Sequence, residues 1–516
     1  MRISSNLLFQ TGLNSITAQQ SDLLHLYEQI GSGKRMITPA DDPLAAAQAV
    51  NISQSQSLNA RFGVNRGVAT TNLATEENAL TSMTLLLQDL KTNLIAAGNG
   101  TLSDADRATL SNVLSNARDS MLGLANTTDG SGQYLFSGAQ GGSAAYQDVN
   151  GKITYMGDAG QRKIQADQTR QIAGSDVGSD VFNRAAPGTT NYLTSVGTNT
   201  ITNLGNQGTG VIASPTISDQ NAAGAGNTYA IKFSETVPNS YTVEVSDRLG
   251  NPVGTPATGT WSPTSGSSIN LPGGVEVKFS GSPALGDSFV VEPANTSSHV
   301  VTPVTSGNAR ISSPVVSDYS ITRPGDVYSI AFTDTDEYTV TVTNSNPLYP
   351  TITLAGEKFV PGQENTITLP HGMEVKIAGA PVAGDAFTIE AAATQTDLDI
   401  FATLDGIIKS LELPIQDSPE AQAAFQNNLA TAMQRLDVNY NNILTVRASV
   451  GARMNELDSI GATGSARALS YSSQLSKLED VDYYTATTQL QLRSTALEAA
   501  SLAFKKIQGL GLFNTR

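Results

Sequence analysis

The chain of 516 residues has no cysteine, which excludes disulfides, thiolate catalysis and cysteine-ligated zinc. Aromatic residues make up only 6% and there is one tryptophan, Trp261, so a stacking platform for sugars is nearly absent. Charged residues are scarce at 15%, and the acidic excess gives a net charge of −16. That balance opposes general nucleic-acid binding, where Lys and Arg must displace counterions from phosphates, and adhesion to anionic membranes. No stretch approaches the roughly 18 apolar residues of a membrane span. The start, Met1 to Gln10, lacks the apolar core of a secretory signal. Its polar, Ser/Asn/Gln-rich character suits a cytosolic protein or export by a route that reads an unfolded N-terminus.

Catalytic machinery is equally thin. Three histidines exist, His25, His299 and His371, with no HExxH and no His cluster, so they are read as surface residues and neither metal nor cofactor is expected. Gly31-Ser32-Gly33-Lys34-Arg35 fails as a phosphate loop: Glu28 stands where the first glycine belongs, and Arg35 replaces the magnesium-binding hydroxyl. Gly205 to Gly210 reads as a linker, and Asp334 to Glu337 as a solvated turn without the spacing of a calcium loop. The carboxylate clusters Asp41-Asp42 and Glu479-Asp480-Val481-Asp482 are read as helix caps and inter-subunit ion pairs. No enzyme activity is expected.

What the chain does have is helix at both ends and β-structure between. Leu13, Ile16, Gln20, Leu23, Tyr27 and Ile30 recur at alternating steps of three and four, as do Val481, Thr485, Thr488, Leu492, Thr495, Ala499 and Leu502. Such spacing keeps a stripe of each helix toward a partner. Both stripes are diluted by Gln, Thr and Ala, so the pair reads as finishing its burial against other subunits. Leu13, Ile16, Leu23, Ile30, Val481, Leu492, Ala499 and Leu502 are the candidate assembly interface. Asp42 and Pro43 open a long helix whose Leu73, Leu80, Leu87 and Leu94 recur every seventh residue, interleaved with Met83 and Leu90. Ser103 to Asp106 starts another as a capping-box variant, with Leu110, Val113, Ala117, Met121 and Leu124 as its expected buried face. Tyr134-Leu135-Phe136 and Lys152 to Tyr155 read as a strand pair. Beyond 397, Ser418-Pro419-Glu420 opens a helix whose face runs from Phe425 to Leu457, with an expected break at Gly461 to Gly464 before the last helix.

The middle carries a duplication. Residues 269–294 align with 367–392 at 14 identities in 26, and the alternating Tyr229, Ile231, Phe233, Val243 and Val245 match Tyr328, Ile330, Phe332, Val340 and Val342. Each copy reads as its own small sandwich or barrel decorating a helical scaffold, and either copy is expected to be dispensable. The fold class is multi-domain α plus β: a discontinuous helical bundle or coiled coil built from both termini, with inserted tandem all-β domains. The expected domains are 1–42 with 465–516, 43–185 with 396–464, 186–305 and 306–395.

Several motifs together resemble one family. Ser32 to Arg35 with Pro39-Ala40-Asp41-Asp42-Pro43, Asn99 to Asp104, Leu124 to Gly130, Tyr134 to Gly138, Leu478 to Tyr483 and Phe504 to Phe513 are similar to the hook–filament junction proteins of bacterial flagella, part of the flagellin-like family. The resemblance covers about 1–185 and 395–516. It marks Arg35, Pro39, Asp41, Asp42, Pro43, Glu479, Asp480, Asp482 and Tyr483 as family positions. It implies a secreted structural protein, exported unfolded by the flagellar type III apparatus with a dedicated export chaperone. The protein would assemble with itself as a ring, next to the other junction protein and flagellin. Two alternatives stay open: flagellin itself, the filament subunit, and a secreted glycan-binding β-repeat protein.

Overall fold

The computed structural model describes residues 5–186, 191–219, 226–262, 268–294, 299–305, 309–311, 314–316, 321, 323, 325–391, 398–416 and 418–512. Contacts divide the chain into two units: residues 1–68, 164–172 and 455–516 in one, 69–163 and 173–454 in the other. The line between them falls inside two long helices, so it does not coincide with the expected bounds near 42 and 465. Among the described residues no helix is long and apolar enough to cross a membrane.

In the first unit α1 (Ser5–Ser32) packs along α7 (Tyr483–Leu512). The opening turns of α2 (Pro43–Ala97) meet the closing turns of α6 (Pro419–Glu479), where the buried Asn59 side chain donates to the Gly464 carbonyl at 2.9 Å. The expected break at Gly461 to Gly464 does not occur: α6 runs through it to Glu479. A glycine inside a helix costs about 1 kcal/mol against alanine, which packing overrides here. A Cβ on Gly464 would lie 2.4 Å from the Arg66 guanidinium, which is engaged with the Ala166 carbonyl at 2.9 Å. Gly461 has nothing within 4 Å of the same position. Gly461→Ala is therefore expected to stabilise the free chain by about 1 kcal/mol, and Gly464→Ala to give no such gain. Thermal unfolding of the two variants checks this contrast.

In the second unit the α2 heptad residues from Leu73 to Leu94 are all buried, as are Phe425, Leu429, Leu436, Ile443 and Val450 on α6. α3 (Asp104–Ala125) begins with a complete capping box between Ser103 and Asp106. Its buried face differs from the expected one: Arg107, Ser111, Leu114, Met121 and Ala125 are inside, while Val113 is exposed. Two polar residues occupy that face because each finds a partner. Arg107 donates to the Leu102 carbonyl, and Ser111 donates to Glu412 of α5 (Ile400–Glu412). The expected strand pair is also rearranged. Leu135–Ser137 forms a single 3₁₀ turn, and Lys152–Tyr155 pairs instead with Tyr146–Val149. Phe136, Tyr146, Phe401 and Phe182, the last from the short α4 (Gly178–Phe182), meet at centroid distances of 5.0–6.4 Å in the core beneath.

Each repeat closes a two-sheet sandwich. In the first copy one sheet runs in the order 257–260, 240–246, 228–233, 288–293, 192–196, and in the second 299–304, 386–391, 326–334, 337–344, 352–358. Four-stranded sheets centred on Val275–Ser280 and Met373–Ala378 cover them. The repeated apolar residues form the two cores: Tyr229, Ile231, Phe233, Ile269 and Phe289 in one, Tyr328, Ile330, Phe332, Ile367 and Phe387 in the other. Strand His299–Val304 pairs with Ala386–Ala391, so the copies divide before 299 and not at 305/306.

Two sequence readings change here. Gly205 to Gly210 is no linker: the Gln207 and Gly208 amides donate to the buried Asp287 carboxylate at 2.8 and 3.0 Å. His371 is no surface residue: its Nδ1 meets Asp326 at 2.6 Å, and its side chain is 13% exposed. It holds a left-handed φ of 59°, where the first copy has Gly273 at 84°. The pairing with Asp326 keeps a non-glycine residue in that conformation.

Among the described residues, the first copy is attached to the helices by side chains of α6. Asn427 of α6 accepts from the Ile212 amide and donates to the Gly210 carbonyl, each at 2.9 Å. One turn further, Thr431 donates to the Thr194 carbonyl at 2.7 Å and Gln434 accepts from the Thr194 amide at 2.8 Å. Leu193, Ala294, Leu398 and Val438 pack together beside these bonds. The first copy is thus bonded to the helical scaffold.

Candidate functional site: the clasp between the chain ends

The positions marked by the resemblance, scattered across the sequence, come together in the first unit. α1 ends at Ser32, and Gly33 turns the chain with a φ of 71°, open to glycine at little cost. A Cβ there would lie 3.1 Å from the Tyr483 hydroxyl, so Gly33 and Tyr483 fit each other sterically. Lys34 and Asp480 form an antiparallel bridge. Around it the Arg35 amide donates to the Glu479 carbonyl at 2.6 Å, and the Val481 amide donates to the Gly33 carbonyl at 3.0 Å. This short β-clasp ties the end of α1 to the link between α6 and α7.

Side chains lock the same turn. The Arg35 guanidinium donates from Nε and Nη2 to the Leu478 carbonyl at 3.2 and 3.0 Å, satisfying a C-terminal carbonyl of α6 with a positive charge. It also meets Asp42 at 3.4 Å. Asp42 in turn caps α2: its Oδ1 accepts from the Ala45 amide at 3.0 Å, and Pro43 fills the first helical position, which needs no donor. Arg35 therefore links the end of one long helix to the start of another. Asp482 caps α7, accepting from the Tyr484 amide at 3.0 Å and the Thr485 hydroxyl at 2.6 Å. The Glu479 carboxylate pairs with Lys34 at 3.3 Å. The carboxylate clusters act as caps and as ion pairs within one chain.

Asp41 organises the loop. Its carboxylate accepts from the Ile37 and Thr38 amides, each at 2.8 Å, and meets His25 at 3.2 Å. The Thr38 and Ile37 amides hold its pKa down from 3.8 to about 2. A depressed folded-state value stabilises the fold above the ordinary carboxylate range, and that support is lost as pH falls through about 2. The Ile37 and Thr38 amide signals are expected to titrate with a midpoint near pH 2, and Asp41→Asn to remove the transition. An NMR titration at the ordinary carboxylate midpoint would contradict this. Pro39 lines a groove of about 350 Å³ together with Met36, Ile37, Ala49 and Val50.

The candidate assembly residues divide between two surfaces. Ile16, Leu23, Ile30 and Val481 are half-buried, whereas Leu13, Leu492, Ala499 and Leu502 are exposed, the last two leucines by 65% each. The less exposed side of α7 follows another stripe, Ala486, Leu490, Leu497 and Phe504, and on α1 Leu26 is buried. Gly12 lets the chains approach: a Cβ there would lie 2.9 Å from the Phe504 ring. Asp22 and Arg493 pair across the two helices. The sequence reading missed Leu26, Leu490 and Phe504 because α7 carries two apolar stripes of similar strength. The close Gly12–Phe504 approach is the signal that separates them. It also missed Gln29, whose amide donates to the Arg35 carbonyl at 2.6 Å.

Residues 3–141 match the bacterial flagellin N-terminal helical region. Flagellar hook-associated protein 3 of Escherichia coli (strain K12) is 38% identical over 182 residues, which is 35% of this chain and 57% of that protein. Its Salmonella typhimurium counterpart is 38% identical over 183 residues, 36% of this chain and 57% of that one. Over these residues the chain is similar to flagellar hook-associated protein 3. It spans little more than half the length of these two relatives, at 57% of each. The fold agrees: the crystal structure of flagellar hook associated protein-3 from Legionella pneumophila superposes with a TM-score of 0.54 at 22% identity, over 83% of this chain and 98% of that one. A second Legionella pneumophila structure, the flagellar junction protein FlgL, gives 0.51 at 22% identity over 84% and 100%.

Proposed function

We propose that this protein is a structural subunit of the bacterial flagellum, located at the junction between hook and filament. The observation that carries the proposal is the homology to hook-associated protein 3, supported by the gathering of the family positions into one clasp. In this reading the protein is secreted by the flagellar export route with a chaperone. It builds a ring from copies of itself, with the other junction protein on one side and flagellin on the other. The exposed Leu13, Leu492, Ala499 and Leu502 are then the side of the α1–α7 pair that neighbouring copies cover. Burial of each large apolar side chain contributes roughly 1.5–3 kcal/mol, which summed over such a face offsets the ordering of two thinly apolar helices.

Deleting the gene is expected to leave cells with bare hooks and flagellin shed into the medium, and the intact gene to restore filaments. Filaments that still attach to hooks in the deletion strain would overturn the proposal. A flagellin of Clostridium tyrobutyricum is 24% identical over 158 residues, and this likeness together with the flagellin N-terminal match supports the filament-subunit reading. Purified protein that grows long filaments unaided would favour it; protein that caps hook ends and stops would favour the junction.

A further inference from the structure

The first half of α2 carries an outward stripe that packing within the chain does not explain. Val50, Ser57 and Val64 follow at steps of seven, and Arg61 and Val68 lie four residues beyond Ser57 and Val64, so all five share one helix face. Each is exposed, Val64 by 69%, while Asn59, Phe62 and Ala69 on the opposite face are buried. The β-branched valine is a poorer helix former than alanine, lysine or glutamate, and at a solvated position it gains no packing in return. From Val50 to Val68 the stripe runs about 27 Å along the helix. At its Val50 end it joins the groove lined by Met36, Ile37 and Pro39. Its charge is of one sign: residues 43–68 contain Arg61 and Arg66 and no acid. Arg66 is turned to the Ala166 carbonyl, and Arg61 is the cation on the stripe.

The converse surface lies on α1. Leu13, Gln20, Leu24 and Tyr27 fall at steps of seven, four and three, and all are exposed, Leu24 by 63%. This helix has no Lys or Arg, and its acids are Asp22 and Glu28. Asp22 pairs with Arg493 of the same chain, whereas Glu28 is exposed beside Tyr27. We infer that in the assembled protein the Leu13–Tyr27 stripe of α1 in one copy docks on the Val50–Val68 stripe of α2 in the next, with Glu28 of the first facing Arg61 of the second. Leu24 and Tyr27 lie within about a turn of Glu28, and Val64 within a turn of Arg61, so apolar side chains come together where the charges do. Pairing α2 with α2, or α1 with α1, would instead gather charges of one sign. A contact between two different surfaces repeats head to tail, and it closes into a ring or winds on as a helix. This contact presupposes the self-assembly proposed above and names the surface that receives α1.

Sedimentation of the full chain under assembling conditions tests the contact. Arg61→Glu and Glu28→Arg are each expected to lower the assembled fraction about tenfold, with far-UV circular dichroism unchanged, because each sets like charges against one another. The double variant restores the pair with its signs exchanged and is expected to recover most of the loss. Single reversals without effect, or a double variant no better than the singles, would overturn the contact and leave the self-assembly reading standing. A wild-type chain that stays monomeric would overturn both. Because the chain has no cysteine, cross-linking gives a second measurement that does not depend on the reversals folding. An equimolar mixture of Glu28→Cys and Arg61→Cys chains, oxidised under assembling conditions, is expected to give a disulfide-linked dimer that neither variant gives alone. Absence of that dimer from the assembled mixture would contradict the contact.

Discussion

Excising residues 299–391, the second β copy, is expected to leave helix content, unfolding temperature and motility close to wild type, while excising 192–293 is expected to lower stability by several kcal/mol and abolish motility. The expectation rests on the bonds seen between the first copy and α6. Ala294 before the second copy and Leu398 after it belong to one packed cluster, so closing the chain across the gap joins points that already lie together. The first copy brings Leu193 to that cluster and bonds its Thr194, Gly210 and Ile212 backbone to Asn427, Thr431 and Gln434 of α6. Its loss removes hydrogen bonds of about 1 kcal/mol each and opens Leu398 and Val438 to water, at roughly 1.5–3 kcal/mol per side chain. Circular dichroism melts and swarming assays on the two excisions check this. Equal behaviour would show that the copies are interchangeable, as their sequences alone suggest.

Deleting residues 490–516 is expected to abolish assembly entirely while leaving both β copies folded. The deletion removes Leu490, Leu497 and Phe504, the side of α7 that faces inward, and with them the Arg493 partner of Asp22. The 28-residue α1 is left without its helix, and a lone helix with so diluted an apolar stripe is marginal in water. The clasp at Gly33 to Val481 lies before the cut and is retained. Trp261 gives a direct control, since the single tryptophan is buried in the core of the first copy. Its emission should stay blue-shifted in the truncated protein. Assembly by the truncated chain would contradict the claim that the paired ends carry it.

Much of this architecture can be read from the residues. The α2 leucines at steps of seven, the Ser103–Asp106 cap and the repeated Tyr-x-Ile-x-Phe strands each have a strong local cause, and all take the predicted form. What could not be read depends on contacts between distant segments. The Gly461 to Gly464 pair looks like a helix break unless one knows that Arg66 lies over Gly464. Polar Arg107 and Ser111 look solvent-facing until Asp104 and Glu412 are seen beside them. Asn427 and Gln434 carry the first β copy, yet their spacing on a helix does not distinguish them from solvated residues. At the clasp, the resemblance identified the positions, but not that Arg35 joins the end of α6 to the cap of α2. The inward stripe of α7 was ambiguous for the same reason: periodicity gives the faces of a helix, and the partner chooses between them.

The central claim is that the paired chain ends have an outer face finished only by neighbouring copies. Hydrogen exchange of α1 and α7, compared between dilute monomer and assembled protein, tests it most directly. The account predicts rapid exchange across both helices in the monomer, protection concentrated at the Gly33–Val481 clasp, and slow exchange throughout after assembly. Full protection of both helices in the dilute monomer, unchanged on assembly, would contradict it.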